Sequence, residues 1–228
     1  MIAIHIQLNE NLYLRDPQQT KLGRKIIEYA IILIEELGFE KFTFKKLACK
    51  IQSTEASVYR YFENKHKLLL YLVCWYWEWT MFQIDYNSMN ITCPAKRLKI
   101  ILSTLVTSSQ TNPAVEYVDE NRLHRIVVAE GIKAYHTKEV DDENKDGLFL
   151  NYKTLSKVIA DAIQAVNPNF PYPNTLASSL IEMASDHIYF AEHFPSITDV
   201  SVEQGRLDAV VNMLEFFTFK MLDHPIPE

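Results

Sequence analysis

Ser53, Thr54, Glu55, Ser57, Tyr59, Arg60 and Tyr61 crowd into one short stretch that also holds the apolar Val58 and closes on Phe62. Short hydroxyls and tyrosines approach phosphates and base edges, and a guanidinium makes a two-pronged contact with guanine or phosphate. These are the side chains of a surface that reads a DNA major groove. Basic residues are placed to the same end: Lys21, Arg24 and Lys25, then Lys45 and Lys46, then Lys65, His66 and Lys67 stand near the starts of successive helical patterns. The helix macrodipole disfavours cations there. Their placement makes physical sense if a phosphodiester docks at those ends, where free N–H groups bind phosphate; the alternative is an ordinary solvated face. Glu55 obeys the dipole instead, and its carboxylate could also accept from cytosine N4.

Such a surface needs a frame. Asp16-Pro17 reads as a helix start, with Asp as N-cap and Pro in the first helical position. Ile26, Ala30, Leu33, Ile34 and Leu37 then repeat at helical spacing as far as Gly38. Thr43 caps a second, short helix with Phe44, Leu47, Ala48 and Ile51 on one face. After Gln52-Ser53 a third runs to about Phe62 and turns Val58 and Phe62 inward. The spacing predicts a three-helix head over residues 17–66, its last two helices joined as a helix-turn-helix.

The remainder also reads as helix: Lys65 to about Met89, Pro94 to Gln110, Pro113 to His136 with a break near Asp119 to Asn121, a helix around Leu155 to Val166, Asn174 to His193, and roughly Val200 to Leu222. The expected fold class is all-α with about nine helices. One exception is expected in residues 1–16, where Ile2, Ile4, Ile6 and Leu8 alternate, Asn9-Glu10-Asn11 interrupts, and Leu12 and Leu14 follow. Period-two runs about a polar break predict a short β-hairpin or an extended arm.

The net charge of -6 does not count against a nucleic-acid partner, because the charge is uneven. Residues 17–70 carry ten Lys or Arg against six acids, whereas 71–228 carry twelve against twenty-one. A basic module is joined to an acidic one. Cys49, Cys74 and Cys93 are odd in number and form no C-x-x-C pair, which suits a reduced protein without structural disulfides. The amino terminus lacks a signal-peptide pattern, and the longest apolar run, Leu68 to Trp77, is too short to span a bilayer. A soluble cytoplasmic protein is expected.

Asp142 to Gly147 matches the first half of a calcium loop, but Lys153 stands where a bidentate Glu belongs, so the segment reads as an acidic turn between helices. His187 and His193 lie on different helix faces and do not form a zinc pair. No nucleophile elbow, P-loop, H-E-x-x-H or Cys-His dyad is present, so neither an enzyme nor a metal or cofactor is expected.

The run Thr43-Phe-Lys-Lys-Leu47-Ala48, then Ser53-Thr54-Glu55-Ala56-Ser57-Val58-Tyr59-Arg60-Tyr61-Phe62, then Lys65 and Leu68-Leu69, resembles the DNA-binding segment of the TetR family of transcriptional regulators. The resemblance spans roughly Lys21 to Leu70, about a fifth of the chain. Gln52 and Ser53 depart from it, standing where the family has Gly then Val, and Gln52 is expected to adopt a left-handed conformation. The resemblance implies phosphate contacts from Thr43, Ser53, Thr54, Tyr59, Tyr61 and Lys65, with Glu55 and Arg60 also near base edges. Lys46 and Ser57 complete the candidate DNA-binding set.

The resemblance further implies a helical ligand-binding and dimerisation domain over 67–228 and a homodimer on a palindromic operator, paired through the last two helices. It implies a small-molecule effector that releases the DNA. The sequence speaks to the dimer independently. Ala177, Ser178, Ser179, Ala184 and Ser185 would permit close approach, and the last helix adds Ala209, Phe216 and Phe219 to a core stripe of Leu207, Val210, Val211, Leu214, Phe217 and Met221. Trp75, Trp79 and Phe82 on the fourth helix, with His124 and His187, are candidate walls of an apolar ligand pocket, although such stripes are more often core. The alternative is a helical ligand-binding or protein-interaction module whose head has lost DNA binding.

Overall fold

The computed structural model describes residues 5–108, 115–202 and 205–227. Eleven α-helices and three short 3-10 turns occur among them, and no strand. The helices are α1 (Lys21–Leu37), α2 (Phe44–Lys50), α3 (Glu55–Tyr59), α4 (Lys65–Asn87), α5 (Pro94–Thr107), α6 (Glu120–Glu130), α7 (Ile132–Tyr135), α8 (Val140–Lys145), α9 (Leu150–Val166), α10 (Pro173–His193) and α11 (Asp208–Met221). The chain is all-α as expected, with more helices than the sequence suggested because α7 and α8 are short pieces without a readable period.

Two compact units divide the chain: Met1–Glu78 with Ser109–Asn151, and Trp79–Ser108 with Tyr152–Glu228. The expected DNA-binding segment lies wholly in the first. In that unit α1 packs on α2 and α6, and α2 on α3. Glu35 of α1 takes both Arg122 and Arg125 of α6, and Glu130 at the end of α6 accepts the Phe39 amide at 2.9 Å. In the second unit α10 packs on α11, and both pack on α5.

Several boundaries differ from the sequence expectation for local reasons. The first helix begins at Lys21 rather than Pro17, because Asp16 caps only a 3-10 turn (Pro17–Gln19) and Thr20 then caps the α-helix through the Gly23 amide. Gly23 is required there: a Cβ would sit 2.3 Å from the Pro17 carbonyl oxygen. Val115 to Asp119 is not helical, and Asp119 caps α6 through the Arg122 amide; Pro113 lies outside the described residues. The acidic segment expected as a turn contains a helix, α8, whose first turn carries Asp141, Asp142 and Glu143 in agreement with the dipole. The last helix begins at Asp208, after Gly205 at φ 74, and not near Val200.

Of the two forms expected for the amino-terminal segment, a β-hairpin or an extended arm, no hairpin occurs among the described residues. Residues 5–8 are irregular, and a 3-10 turn at Glu10–Leu12 follows; residues 1–4 lie outside the described set. The alternation remains visible in burial, with Ile6, Leu8 and Leu12 all interior. The pairing partner is not a strand but a side chain: the Gln18 carboxamide accepts from the Ile6 amide at 3.1 Å and donates to the Ile6 carbonyl at 2.7 Å. One glutamine thus satisfies the arm's backbone as a neighbouring peptide group would.

Candidate nucleic-acid interface

The turn between α2 and α3 decides how α3 is presented. Gln52 has φ 55, the left-handed conformation expected where glycine is usual. Its amide donates to the Cys49 carbonyl at 3.1 Å and that of Ser53 to Ala48 at 2.9 Å. This bond pair is a Schellman ending of α2, with Gln52 at the left-handed position. Lys25 reinforces it from α1, donating to the Ile51 carbonyl at 3.0 Å. The turn therefore forms without glycine, at the cost of local strain. Replacing Gln52 by Gly is expected to raise unfolding stability by roughly 0.5 to 1 kcal/mol, the relieved strain being partly offset by a more flexible unfolded chain. Urea midpoints of the two proteins measure this; an unchanged or lower midpoint would show that the glutamine is not strained.

Thr54 caps α3 by accepting the Ser57 amide, and its hydroxyl also meets the Ser57 hydroxyl at 2.8 Å. Val58 and Phe62 are fully buried, as expected. Facing solvent are Thr54, Glu55, Tyr59 and Arg60, with Ser53 and Ser57 half-buried beside them. Glu55 sits in the first turn of α3, where the dipole favours it. Among the described residues Lys45, Lys50, Glu55 and Arg60 have no ion-pair partner, so their charges are available to a ligand. Thr43 is exposed and caps α2 through the Lys46 amide.

Three expected contact residues are used by the protein itself. Tyr61 does not face outward: it is 3% exposed, its hydroxyl 2.8 Å from the Thr20 hydroxyl. The α3 helix ends at Tyr59, so helical periodicity no longer sets the direction of the next side chains. Lys65 donates to the carbonyls of Phe39 and Glu40 and lies over the Phe39 ring. Lys46 donates to the Lys41 carbonyl at 2.6 Å but remains exposed.

Residues 26–72 match the family model of bacterial regulatory proteins, tetR family. The head is a TetR-type DNA-binding domain. No curated protein sequence matches the chain. Among solved structures the TetR-like architecture extends well beyond the head. A tetR-family regulator from Rhodococcus RHA1 aligns with a TM-score of 0.64 at 15% identity, covering 89% of this chain and 97% of that one. AibR, crystallised with isovaleryl coenzyme A and operator DNA, aligns at 0.57 with 15% identity, covering 89% and 100%. The superantigen PfiT aligns at 0.61 with 12% identity, covering 92% and 100%. At such identities the likeness establishes the fold, and the presence of a superantigen among the neighbours shows why activity has to be argued from the TetR-type head and its side chains.

Of the candidate ligand residues, Trp75, Trp79 and Phe82 stand on α4, His124 on α6 and His187 on α10. Trp75 is interior. Trp79 is fully buried, whereas Phe82, stacked on it at 5.5 Å, is 43% exposed. His187 bonds the Thr198 hydroxyl at 2.8 Å. His124 is buried, its Nδ1 2.7 Å from the Tyr76 hydroxyl and its Nε2 without a hydrogen-bond partner among the described residues. Burial, and secondarily the Arg125 charge, push its pKa down to about 4, so the imidazole is neutral near pH 7. Gln18, Tyr117, Glu35 and Glu130 carried no sequence signal, since each acts through a partner distant in the chain.

Proposed function

We propose that this protein is a transcriptional regulator that binds operator DNA as a homodimer in the cytoplasm, represses there, and is released by a small apolar or amphipathic effector taken up by its helical body. The observation that carries this is the TetR-type head with Tyr59 and Arg60 standing exposed on a helix held by a well-formed turn. The left-handed Gln52, which takes the conformation usual for a turn glycine, supports this reading over a head that no longer reads DNA. AibR, of the same fold, takes both an acyl coenzyme A and operator DNA, the combination proposed in kind for this chain.

Purified protein is expected to bind duplex DNA from upstream of its own coding region with affinity that falls steeply as salt rises, because each neutralised phosphate releases counterions. Candidate effectors are titrated while the fluorescence of Trp75, Trp77 and Trp79 is followed and DNA release is measured in parallel. Ligand binding without DNA release would favour a plain ligand-binding module, and absence of salt-dependent DNA binding would remove the proposal's main support.

The proposed dimer uses α10 and α11. Phe216 and Phe217 are 51% and 38% exposed, Met221 is exposed beside them, and Ser178 and Ser185 of α10 are half-buried. The outward set differs from the sequence expectation: Phe219 is interior, as are Ala177 and Ala184, while Phe217 and Met221 face solvent. Apolar side chains of this size on one face mark an association surface. Phe216→Asp with Phe217→Asp is expected to turn the dimer into a folded monomer in sedimentation, since neither ring fills the core of the single chain. A variant that still sediments as a dimer would place the interface elsewhere.

A further inference from the structure

We propose that residues 5–15 are a positioning element for the DNA-facing helix α3, fastened by Asn9 and Gln18; the consequence for DNA rests on the function proposed above, but the tether itself does not. At one end the Leu14 amide donates to the carbonyl of Tyr61, just past the end of α3, at 2.8 Å, and the Arg15 guanidinium lies over the Tyr61 ring at 5.6 Å. At the other, Asn9 and Asn11 donate their side-chain amides to the Asp146 carbonyl at 2.9 and 3.4 Å, in the turn that follows α8. Gly147 makes room for this: it is left-handed at φ +75, and a Cβ there would stand 3.2 Å from the Asn9 amide nitrogen.

Between the two ends, Gln18 holds Ile6 by both backbone groups and also accepts the Tyr117 hydroxyl at 2.9 Å. Burial raises the Tyr117 pKa to about 12, so this hydroxyl stays protonated and remains the donor. The short segment therefore grips the far end of α3 and the α8–α9 turn, and Gln18 joins it to the loop before α6. A helix as short as α3 has no stability of its own, and its orientation comes from what holds its ends. The arm supplies a hold that the helix-turn-helix lacks by itself.

The test is hydrogen exchange of the full chain without DNA, comparing wild type with Asn9→Ala/Asn11→Ala, which alters side chains at the rim of the arm. Loss of the Asp146 bonds is expected to speed exchange about fivefold at Leu14 and over 59–62, leaving α10 unchanged. Affinity for the upstream DNA should fall by a similar factor with the wild-type salt slope, since no phosphate contact is lost. Gln18→Leu, which removes the hydrogen bonds at the other fastener, should act in the same direction. Faster exchange in the arm with 59–62 unchanged would overturn the tether, as would no change anywhere, or a uniform rise that includes α10. A wild-type protein that binds no DNA would defeat the proposed function while the exchange data still decide the tether.

Discussion

Arg60→Ala is expected to weaken operator binding by about ten- to a hundredfold, the value of one good bidentate contact, and to leave the fold and its thermal transition unchanged. The guanidinium is exposed and has no ion-pair partner among the described residues, so its removal deprives the free protein of little. Tyr59 needs a more careful substitution. Its ring meets Phe44 edge-to-face at 5.0 Å, so Tyr59→Ala would also loosen the packing of α3 on α2, by about 0.5 to 1.5 kcal/mol. Tyr59→Phe keeps that contact and removes only the hydroxyl. With Arg60→Ala and Tyr59→Phe combined, two effects should separate: lower affinity at every salt concentration, and a slope of log K against log salt shallower by about one if the Arg60 contact is a phosphate. An unchanged slope with relaxed sequence preference would assign Arg60 to a base edge. Full affinity in the double variant would mean that α3 does not face the DNA.

The second large effect is a pH dependence of stability centred on His124. The unfolded chain protonates this residue near its ordinary value of 6.5, whereas the folded chain holds it neutral down to about 4. Between those values the unfolded state binds the extra proton, so folding stability falls as pH falls. The contribution is complete above pH 6.5 and gone near pH 4, and it amounts to about 3 kcal/mol. Burial, which penalises the charged ring, sets the sign, and Arg125 adds to it by repelling a second positive charge, while the Tyr76 hydroxyl bonds the ring at Nδ1. Urea unfolding at a series of pH values, for wild type and His124→Gln, isolates the term, because carboxylate contributions are common to both. The variant's stability should fall less between pH 6.5 and 4; parallel curves would sink the assignment.

How much of this was legible beforehand depended on the distance over which each signal acts. Thr43 as the cap of α2, Glu55 in the first turn of α3, Gly38 ending α1 and the left-handed Gln52 were all readable, because each is settled within one helical turn. Inward Val58 and Phe62 were also right. Tyr61 was not, because its direction was inferred from a helical period that stops at Tyr59. On α11, apolar residues occur on nearly every side, so periodicity could not choose the phase, and Phe217 and Phe219 exchanged places between surface and core.

Signals of longer reach were absent. Alternation in the arm announced an extended segment but not its partner, and Gln18, a polar residue in a short polar run, gave no sign that it would replace a strand. The same holds for Glu35 between two arginines of α6. Nor did a lone histidine on a helix reveal that it would be buried neutral against a tyrosine.

The sequence alone thus determined that this is an all-α protein with a basic TetR-type helix-turn-helix head, because caps, dipole preferences and apolar spacing are local and act within a few residues. Only the tertiary structure decided which aromatic rings remain outside, which polar side chains replace missing backbone partners, and what holds α3 in place. Those outcomes depend on burial and on pairing between residues far apart in the chain, and local pattern does not encode them.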